Sequence, residues 1–340
     1  MINSLQHVGV GVTDVDRSYE FYHRHLRFKM KLSELEDDIE ELVPMFGRRP
    51  RMRILNALNA YGGATLELFQ HVDTPPRTKP SPPSWGDTGY LELGVEVKGL
   101  EKVFGVMEKA GVDMLTDIHE LKTATGATWR YAYLKDPDGL PIQLIDLDDA
   151  RSDQGPGLVC GIVHVGLGVS DLERAQAFYG VLGFDEELCH GQDVAGELEP
   201  VMPGPDGLEV VYLGRSAGST ARLVSFTGGM VKLFHCGGRS GERVFEGRRF
   251  GDPGLVEIGL DVDDAAAASE RATGAGGREV VPPTDFDWGF GPRGTLVYIG
   301  DPEGNVVEFV RLKSVFKLSP GALNWVVARP GRLLARMHIL

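Results

Sequence analysis

Apolar and polar residues alternate along short segments of this chain, and the alternation predicts many strands and few helices. The segment HVGVGV (7–12) alternates and carries β-branched side chains, which is typical of a strand. The residues after it space their apolar positions as a helix does, and Thr13 or Asp14 can cap that helix. Three further strand candidates follow, namely FKMKLSEL, RMRILNA and TLELFQH. The pattern therefore predicts the order β-α-β-β-β for the start of the chain.

This order recurs along the chain. The block Gly89–Leu147 has the same order of strands, with a helix predicted near Leu100–Ala110. A larger repeat is also visible, because WGDTGYLELGVEV, which starts at Trp85, aligns with FGDPGLVEIGLDV, which starts at Phe250. In the same way, LQHVGVGVTDVDRSYEFYHRHLRF aligns with IVHVGLGVSDLERAQAFYGVLGF. The second half of the chain therefore repeats the plan of the first.

We expect an α+β fold made of four βαβββ modules in two pairs, each pair forming one half of the chain. A single module of this size buries little core, so modules must pair to cover their sheets. The segment RSDQGPG (151–157) is the predicted linker between the halves. The expected boundaries are 1–150 for the first pair (modules at about 5–72 and 89–148), 158–310 for the second pair (modules at about 162–236 and 254–310) and 311–340 for a basic C-terminal tail.

Polar residues interrupt the apolar strands at matching places in all four modules. Each module has one on its opening strand and one on its closing strand. They are His7, Glu67, Glu92 and Gln143 in the first half, and His164, Lys232, Glu257 and Glu308 in the second. An ionised carboxylate in a dry core is very costly unless it is paired or bound to a metal. The recurrence therefore predicts at least one metal site built from these strands.

The donor types and charges indicate what such a site would bind. Imidazole and carboxylate ligands suit a divalent ion such as Zn, Fe, Mn, Co or Ni. In the first half Glu67 and Glu92 supply two negative charges, which match a divalent ion, so we expect the metal there first. In the second half Lys232 reduces the sum to one negative charge. The Lys232 ammonium group can replace the metal by pairing with Glu257 and Glu308. Alternatively, it can point away and leave His164, Glu257 and Glu308 as ligands.

Composition and charge narrow the class of protein. Of the 340 residues, 42% are hydrophobic and 25% are charged, which is typical of a soluble globular protein. The net charge of −14 argues against a nucleic-acid partner. No apolar run approaches the ~20 residues that a membrane span needs, and the N-terminal segment does not resemble a signal peptide. Three cysteines without CxxC spacing indicate reduced thiols, so we expect a cytoplasmic protein.

Five segments together resemble the vicinal oxygen chelate superfamily, which includes glyoxalase I, bleomycin resistance proteins and extradiol dioxygenases. They are HVGVGVTDVDRSYEFYHRHL, TLELFQ, HVGLGVSDLERAQAFYGVLGF, YLKDPDGLPIQLI and YIGDPEGNVVEFV. The resemblance implies paired modules that form half-barrels around a cleft, with a metal held by the opening and closing strands of a pair. The ligands that it implies are His7, Glu67, Glu92 and Gln143 in the first half, and His164, Glu257 and Glu308 in the second.

The resemblance also implies a type of reaction. Members of the superfamily chelate two oxygens of a small-molecule substrate at the metal, which stabilises an enolate or an oxyanion. A carboxylate ligand that can detach becomes the general base, and Glu67 and Glu92 are the candidates. Tyr133 and Tyr298, each three residues before a DP turn, are candidates for hydrogen bonds to the substrate. The favoured function is therefore a metal-dependent lyase, isomerase or epimerase of the glyoxalase type, in a monomer or a homodimer.

Two other functions stay open from the sequence. An iron-dependent dioxygenase of the extradiol type would use His164, Glu257 and Glu308. The presence of four modules favours it, whereas the segment DFDWGFGPRGTL lacks the histidine that the resemblance leads us to expect there. A metal-free protein that binds or sequesters a small molecule would instead use the polar residues to line a cleft. Bound metal distinguishes this last function from the other two, and oxygen uptake identifies the dioxygenase.

Overall fold

The computed structural model describes residues 1–78, 82–147, 158–191, 195–204, 206–216, 228–237, 241–287 and 292–315. Within these ranges the chain forms sixteen strands and six helices, and they follow the predicted order of four βαβββ modules. The predicted linker at 151–157 lies outside the described residues, as does the tail after Val315. Residues 311–315, expected to begin the tail, instead continue the last strand of the fourth module.

The elements of the four modules correspond to one another. The first module contains β1 (Ile2–Gly11), α1 (Val15–His25), β2 (Met30–Asp38), α2 (Val43–Phe46), β3 (Arg51–Asn59) and β4 (Gly62–His71). The second contains β5 (Gly89–Val97), α3 (Leu100–Lys109), β6 (His119–Lys122), β7 (Thr128–Lys135) and β8 (Pro141–Asp146). The third contains β9 (Val159–Val169), α4 (Leu172–Val181), β10 (Glu186–Gly191), α5 (Ala195–Leu198), β11 (Leu208–Gly214) and β12 (Met230–Cys236). The fourth contains β13 (Gly254–Val262), α6 (Ala265–Gly274), β14 (Arg278–Asp287), β15 (Pro292–Gly300) and β16 (Val306–Val315).

Local signals in the sequence explain where the first helix begins and what the DP turns do. The Asp14 side chain accepts a hydrogen bond from the backbone N–H of Arg17, as an N-cap residue does. On the buried face of α1, the Tyr22 hydroxyl donates to Asp136 Oδ2 over 3.1 Å. Asp136 belongs to the first DP turn, and in the second half Tyr179 donates to Asp301 in the same way over 2.8 Å. These turn carboxylates therefore tie a helix to the sheet and have a structural role.

The modules pair as first with fourth and second with third, which differs from the expected pairing within each half. The opening strand β1 pairs antiparallel with β13 of the fourth module. The opening strand β5 pairs antiparallel with β9 of the third module. The structure therefore corrects the expectation that 1–150 and 158–310 each contain one complete pair. An alignment of repeats identifies equivalent positions, but it does not reveal which strand edge each opening strand meets.

The two module pairs join in one sheet. Strands β4 and β9 meet at Ala64 and Ile162, so the described strands of both pairs form one sixteen-stranded sheet. The largest apolar cluster includes residues of the helices, such as Tyr22 and Phe178, together with the opening strands. No helix within the described residues is both long and apolar enough to cross a membrane. The mixture of a large sheet with few helices confirms the expected α+β class of two paired half-barrels.

Candidate functional site

The eight polar residues on the strands form two groups of four, one in each module pair. The first group, called here the carboxylate centre, consists of His7, Glu67, Glu257 and Glu308. The second group, called here the lysine centre, consists of Glu92, Gln143, His164 and Lys232. Each group takes two residues from opening strands and two from closing strands. All eight residues are buried.

In the carboxylate centre three glutamates surround one imidazole. His7 Nε2 lies 2.9 Å from Glu308 Oε2. The same nitrogen lies 3.5 Å from Glu67 Oε2 and 3.5 Å from Glu257 Oε1. Ligand atoms of His7, Glu67 and Glu257 all lie within 4.8 Å of one another. Four donor side chains therefore converge from four different strands on one small region.

Glycines on the facing strands give these side chains the space that they occupy. His7 on β1 lies opposite Gly259 on β13, and Glu257 lies opposite Gly9. A Cβ atom on residue 259 would lie only 1.9 Å from His7 Cε1, and one on residue 9 would lie 2.6 Å from Glu257 Cγ. The imidazole and the carboxylate chain therefore lie directly against the neighbouring backbone, where any larger residue would displace them.

The carboxylate centre contains three acidic side chains and one basic side chain. Burial raises the pKa of Glu257 to about 8, and the nearby Glu308 and Glu67 add to this rise. Burial also raises the pKa of Glu67. For His7, burial alone would lower the pKa, but contacts with Glu257 and Glu308 outweigh it and raise the pKa well above 6.5. The protonated His7 ring thus compensates the charge of the carboxylates. A bound cation would compensate it instead and allow the carboxylates to ionise together.

Two amide side chains orient His7 and Glu67 in this centre. His7 Nδ1 donates to Gln6 Oε1 over 3.0 Å, since an amide oxygen can only accept, and this leaves Nε2 facing the glutamates. Asn56 Nδ2 donates to Glu67 Oε1 over 3.0 Å. Outer contacts of this kind fix the tautomer of a metal-binding histidine and the orientation of its carboxylate neighbours.

Replacing Gln6 by valine should weaken metal binding by about 10- to 100-fold, because His7 loses the contact that directs Nε2 toward the glutamates. Valine is the residue that the third module has at the equivalent position, Val163. Calorimetric titration of metal-free protein with Zn²⁺ measures the change. The control Val163→Gln should leave the affinity of the carboxylate centre unaltered. Equal Zn²⁺ affinities of wild type and Gln6→Val would show that Gln6 does not orient His7 for metal binding.

In the lysine centre an ammonium group is present among the same kinds of side chain. Lys232 Nζ lies 2.8 Å from Glu92 Oε1 and donates to the Tyr133 hydroxyl over 2.7 Å. His164 Nε2 lies 3.2 Å from the same Glu92 oxygen. Burial alone would raise the pKa of Glu92, but Lys232 and His164 outweigh it, so the pKa is lowered. The charges of this centre are therefore balanced by the chain itself.

Tyrosine hydroxyl groups complete the network around the lysine. Tyr133 donates to Glu92 Oε2 over 2.6 Å and accepts from Gln143 Nε2 over 2.9 Å. Tyr212 donates to Gln143 Oε1 over 3.0 Å. Tyr133 is fully buried and engaged on three sides, so it is not placed to contact a substrate. Its counterpart Tyr298 lies beside Glu308 in the β15–β16 pair, and burial raises the pKa of Tyr298 well above 10.

The ligand set expected for the first half is divided between the two centres. His7 and Glu67 lie in the carboxylate centre as a pair. Glu92 and Gln143, expected to join them, lie in the lysine centre. The reason is the module pairing, because the opening strand β5 faces β9 and not β1. Glu92 is therefore not available as a base at the carboxylate centre.

The set expected for the second half is divided in the same way. Glu257 and Glu308 lie beside His7, whereas His164 lies beside Glu92. The structure also changes the partner of Lys232, which pairs with Glu92 and not with the two glutamates of its own half. Both expected ligand sets are wrong for the same reason, because each module pairs with a module of the other half.

Some residues of the two centres were not predicted. They are Gln6 and Asn56 in the carboxylate centre and Tyr212 in the lysine centre. A signal for Gln6 exists in the sequence, because a polar residue precedes His7 where valine precedes His164. Asn56 and Tyr212 carry no such signal, since only the pairing of β3 with β4 and of β11 with β12 places them beside the closing-strand residues.

The carboxylate centre fits a divalent metal ion. Its donors are one imidazole and three carboxylates, which suit Zn, Fe, Mn, Co or Ni. Both oxygens of Glu257 and Nε2 of His7 are buried, and among the described residues none makes a hydrogen bond of good geometry, although Nε2 lies close to the glutamate oxygens. Buried polar atoms are normally paired, so these atoms are suited to a ligand that accepts their electron pairs. The lysine centre does not fit a metal in the same way, because an ammonium group repels a cation.

Comparison with known proteins identifies the family. Residues 4–144 and 161–309 match the Glyoxalase/Bleomycin resistance protein/Dioxygenase superfamily. No curated protein matches the chain in a sequence comparison. Glyoxalase I from Zea mays has a similar structure, with a TM-score of 0.58, 16% sequence identity, and 97% of this chain and 96% of that chain covered.

A "putative dioxygenase" from Bacillus subtilis is also similar, with a TM-score of 0.60, 13% identity, and coverage of 100% of this chain and 97% of that chain. At such identities the two structures support the fold alone. The family match, in contrast, extends over both halves of the chain and includes all four modules. The chain therefore belongs to the Glyoxalase/Bleomycin resistance protein/Dioxygenase superfamily.

Proposed function

We propose that this protein is a divalent-metal-dependent enzyme that chelates adjacent oxygens of a small molecule at the carboxylate centre. The reaction that we propose is that of a lyase, isomerase or epimerase of the glyoxalase type, acting at a carbon next to a carbonyl. The observation that supports it is the convergence of His7 with three buried glutamates. Such a cluster is unfavourable without a cation, since the carboxylates repel one another.

The residues of the carboxylate centre would have distinct tasks. His7, Glu257 and Glu308 would hold the metal, and Glu67 would hold it or release it during the reaction. When bound, a divalent ion supplies Lewis-acid polarisation of the substrate oxygens. Glu67 Oε2 faces His7 while Asn56 fixes the other oxygen. Glu67 Oε2 is therefore the atom that would accept the proton from the substrate carbon and return it.

Differences between the two module pairs favour the carboxylate centre as the place for a substrate. Tyr212 faces Lys232 across β11 and β12, whereas the smaller Asn56 faces Glu67 across β3 and β4. Trp129, buried against Tyr212 near the lysine centre, corresponds to Gly294 in the fourth module. The side chains of His7, Glu67 and Glu308 retain 7–8% exposure, whereas those of His164 and Glu92 retain none, so the carboxylate centre is the more accessible of the two. Tyr298, beside Glu308, remains our candidate for a hydrogen bond to it.

A dioxygenase that uses His164, Glu257 and Glu308 is not supported by this geometry. His164 lies beside Glu92, in a different centre from the two glutamates. A metal-free binding protein is another alternative, and it predicts that the buried carboxylates stay protonated or paired without an ion. Metal content is therefore the property that separates it from the proposed enzyme.

The test is metal content by plasma mass spectrometry on untagged protein that is purified without chelators. We expect about one divalent ion per chain in wild type and a loss of at least about 100-fold in affinity in His7→Ala, because a ligand is removed. The matched control His164→Ala changes the equivalent residue of the lysine centre and should keep the ion. A wild-type protein that takes up no metal on reconstitution would overturn the proposal.

A second measurement tests the type of reaction. The metal-loaded protein is incubated in D₂O with a panel of α-hydroxy and α-oxo carbonyl compounds, and deuterium incorporation next to the carbonyl is followed by NMR. We expect exchange that requires Glu67 and that an oxygen electrode shows to proceed without oxygen uptake. Oxygen uptake coupled to substrate loss would instead indicate a dioxygenase at this centre.

A further inference from the structure

Lys232 has the same place in the lysine centre as Glu67 has in the carboxylate centre. In the first module Glu67 of β4 lies beside Gly9 of the opening strand. In the third module Lys232 of β12 lies beside Gly166, which is the equivalent residue of β9. On its other side, Gly9 faces Glu257 of β13, and Gly166 faces Glu92 of β5 in the same way. The two centres are thus built on one plan that differs at two positions, where Lys232 replaces Glu67 and the neutral Gln143 replaces Glu308.

The remaining residues of the lysine centre are of types that bind metals. Glu92, Gln143 and His164 supply a carboxylate, an amide oxygen and an imidazole. All three are completely buried, and Lys232 is 2% exposed. The ammonium of Lys232 is 2.8 Å from Glu92 Oε1 and 4.6 Å from the centre of the Phe234 ring. A positive charge is therefore already present in the midst of this donor set.

We propose that the ammonium group of Lys232 takes the place of the metal ion in the lysine centre. One module pair then carries a metal-dependent centre, and the other carries a centre that the chain keeps closed and charge-balanced without metal. This inference rests on the metal-dependent function proposed for the carboxylate centre. It assigns Lys232 as the residue that keeps a metal ion out of the lysine centre.

The surroundings of Lys232 agree with a closed centre. The hydroxyl groups of Tyr133 and Tyr212 both engage the network, and each ring lies within 5.4 Å of the ammonium nitrogen. Trp85, the equivalent of Phe250, packs on Phe234 with its ring centroid 4.4 Å away. Aromatic side chains thus cover the ammonium, and such contacts stabilise a desolvated cation.

The test is a gain of metal on changing one residue. Lys232→Glu gives the lysine centre one histidine, one glutamine and two glutamates, with two negative charges for a divalent ion. We expect bound Co²⁺ to rise from about one to about two ions per chain, with a matching increase in visible absorption per chain. The control Lys232→Met removes the ammonium without adding a ligand and should stay at the wild-type value.

A reciprocal variant keeps the inference testable even when Lys232→Glu does not fold. Glu67→Lys places an ammonium in the carboxylate centre. We expect it to lose the ion, and its melting temperature should be insensitive to added Co²⁺ and higher than that of metal-free wild type. The gain arises because the new cation pairs with the remaining glutamates. Glu67→Met, which lacks the ammonium, is its control and should melt below Glu67→Lys.

The outcomes separate this inference from the proposed function. A wild type without metal refutes the proposed function. A wild type with one ion, together with a folded Lys232→Glu that binds no second ion, refutes the role of Lys232 alone. Should Lys232→Glu not fold, a Glu67→Lys protein that melts no higher than Glu67→Met also refutes that role. Gain of the second ion, or the higher melting temperature of Glu67→Lys, supports it.

Discussion

Replacing Glu92 by glutamine should lower the free energy of unfolding by about 3–5 kcal/mol, because it leaves the buried ammonium of Lys232 without its anionic partner. Glu92 is completely buried, and its carboxylate lies 2.8 Å from Lys232 Nζ and 3.2 Å from His164 Nε2. Glutamine retains the size and an accepting oxygen, so the change removes mainly the charge. Urea unfolding at pH 7 measures the difference.

The double variant Glu92→Gln with Lys232→Met tests the cause. It removes both charges and should recover a large part of the lost stability, since the cost comes from the unpaired ammonium.

The equivalent change in the carboxylate centre, Glu257→Gln, should have the opposite effect on the free energy of unfolding. Burial holds the pKa of Glu257 at about 8, so folding at pH 7 requires this carboxyl group to take up a proton. Glutamine removes that cost and should stabilise the metal-free protein by about 1–3 kcal/mol while it abolishes metal binding. Equal destabilisation by Glu92→Gln and Glu257→Gln would show that charge does not distinguish the two centres.

Replacing Gly259 by alanine should reduce metal affinity by about 100-fold or more, because the methyl group displaces the His7 imidazole. The Cβ atom of alanine would lie 1.9 Å from His7 Cε1, which is far inside contact distance. Gly259 faces His7 directly across β1 and β13, so the ring has to rotate away from the glutamates. Metal content after dialysis and the rate of deuterium exchange both report the loss.

The matched control is Gly94→Ala in the lysine centre. A Cβ atom there would also lie 1.9 Å from the ring of its facing histidine, His164. Both variants should lose about 1–3 kcal/mol of stability from overpacking. Only Gly259→Ala should lose the metal, since His164 lies in the lysine centre. Retention of full metal affinity by Gly259→Ala would mean that His7 is not a ligand.

Much of the fold could be predicted from local patterns. The alternation in HVGVGV and the capping residue Asp14 identify the first strand and helix, and the structure has both where expected. Repeated segments predicted four modules, and the family match over both halves confirms the superfamily. These features depend on neighbouring residues, so a single sequence contains enough information to predict them.

The sequence predicted the individual residues of the candidate site but not how they are grouped. All eight polar residues lie in one of two centres, as their recurrence among apolar neighbours suggested. Their grouping could not be predicted, because Glu257 and His7 are far apart in sequence and meet only through the pairing of β1 with β13. Lys232 illustrates the same limit, since its partner Glu92 belongs to the other half.

The sequence by itself determined the modules, the positions of the buried polar residues and the excess of carboxylates that calls for a cation. The tertiary structure alone decided which of these residues share a centre. The physical reason is that repeats make the strand edges of all four modules nearly equivalent, so that local pattern does not choose between them. The choice depends on the packing of whole modules, and it places the three glutamates with His7 and the lysine with Glu92.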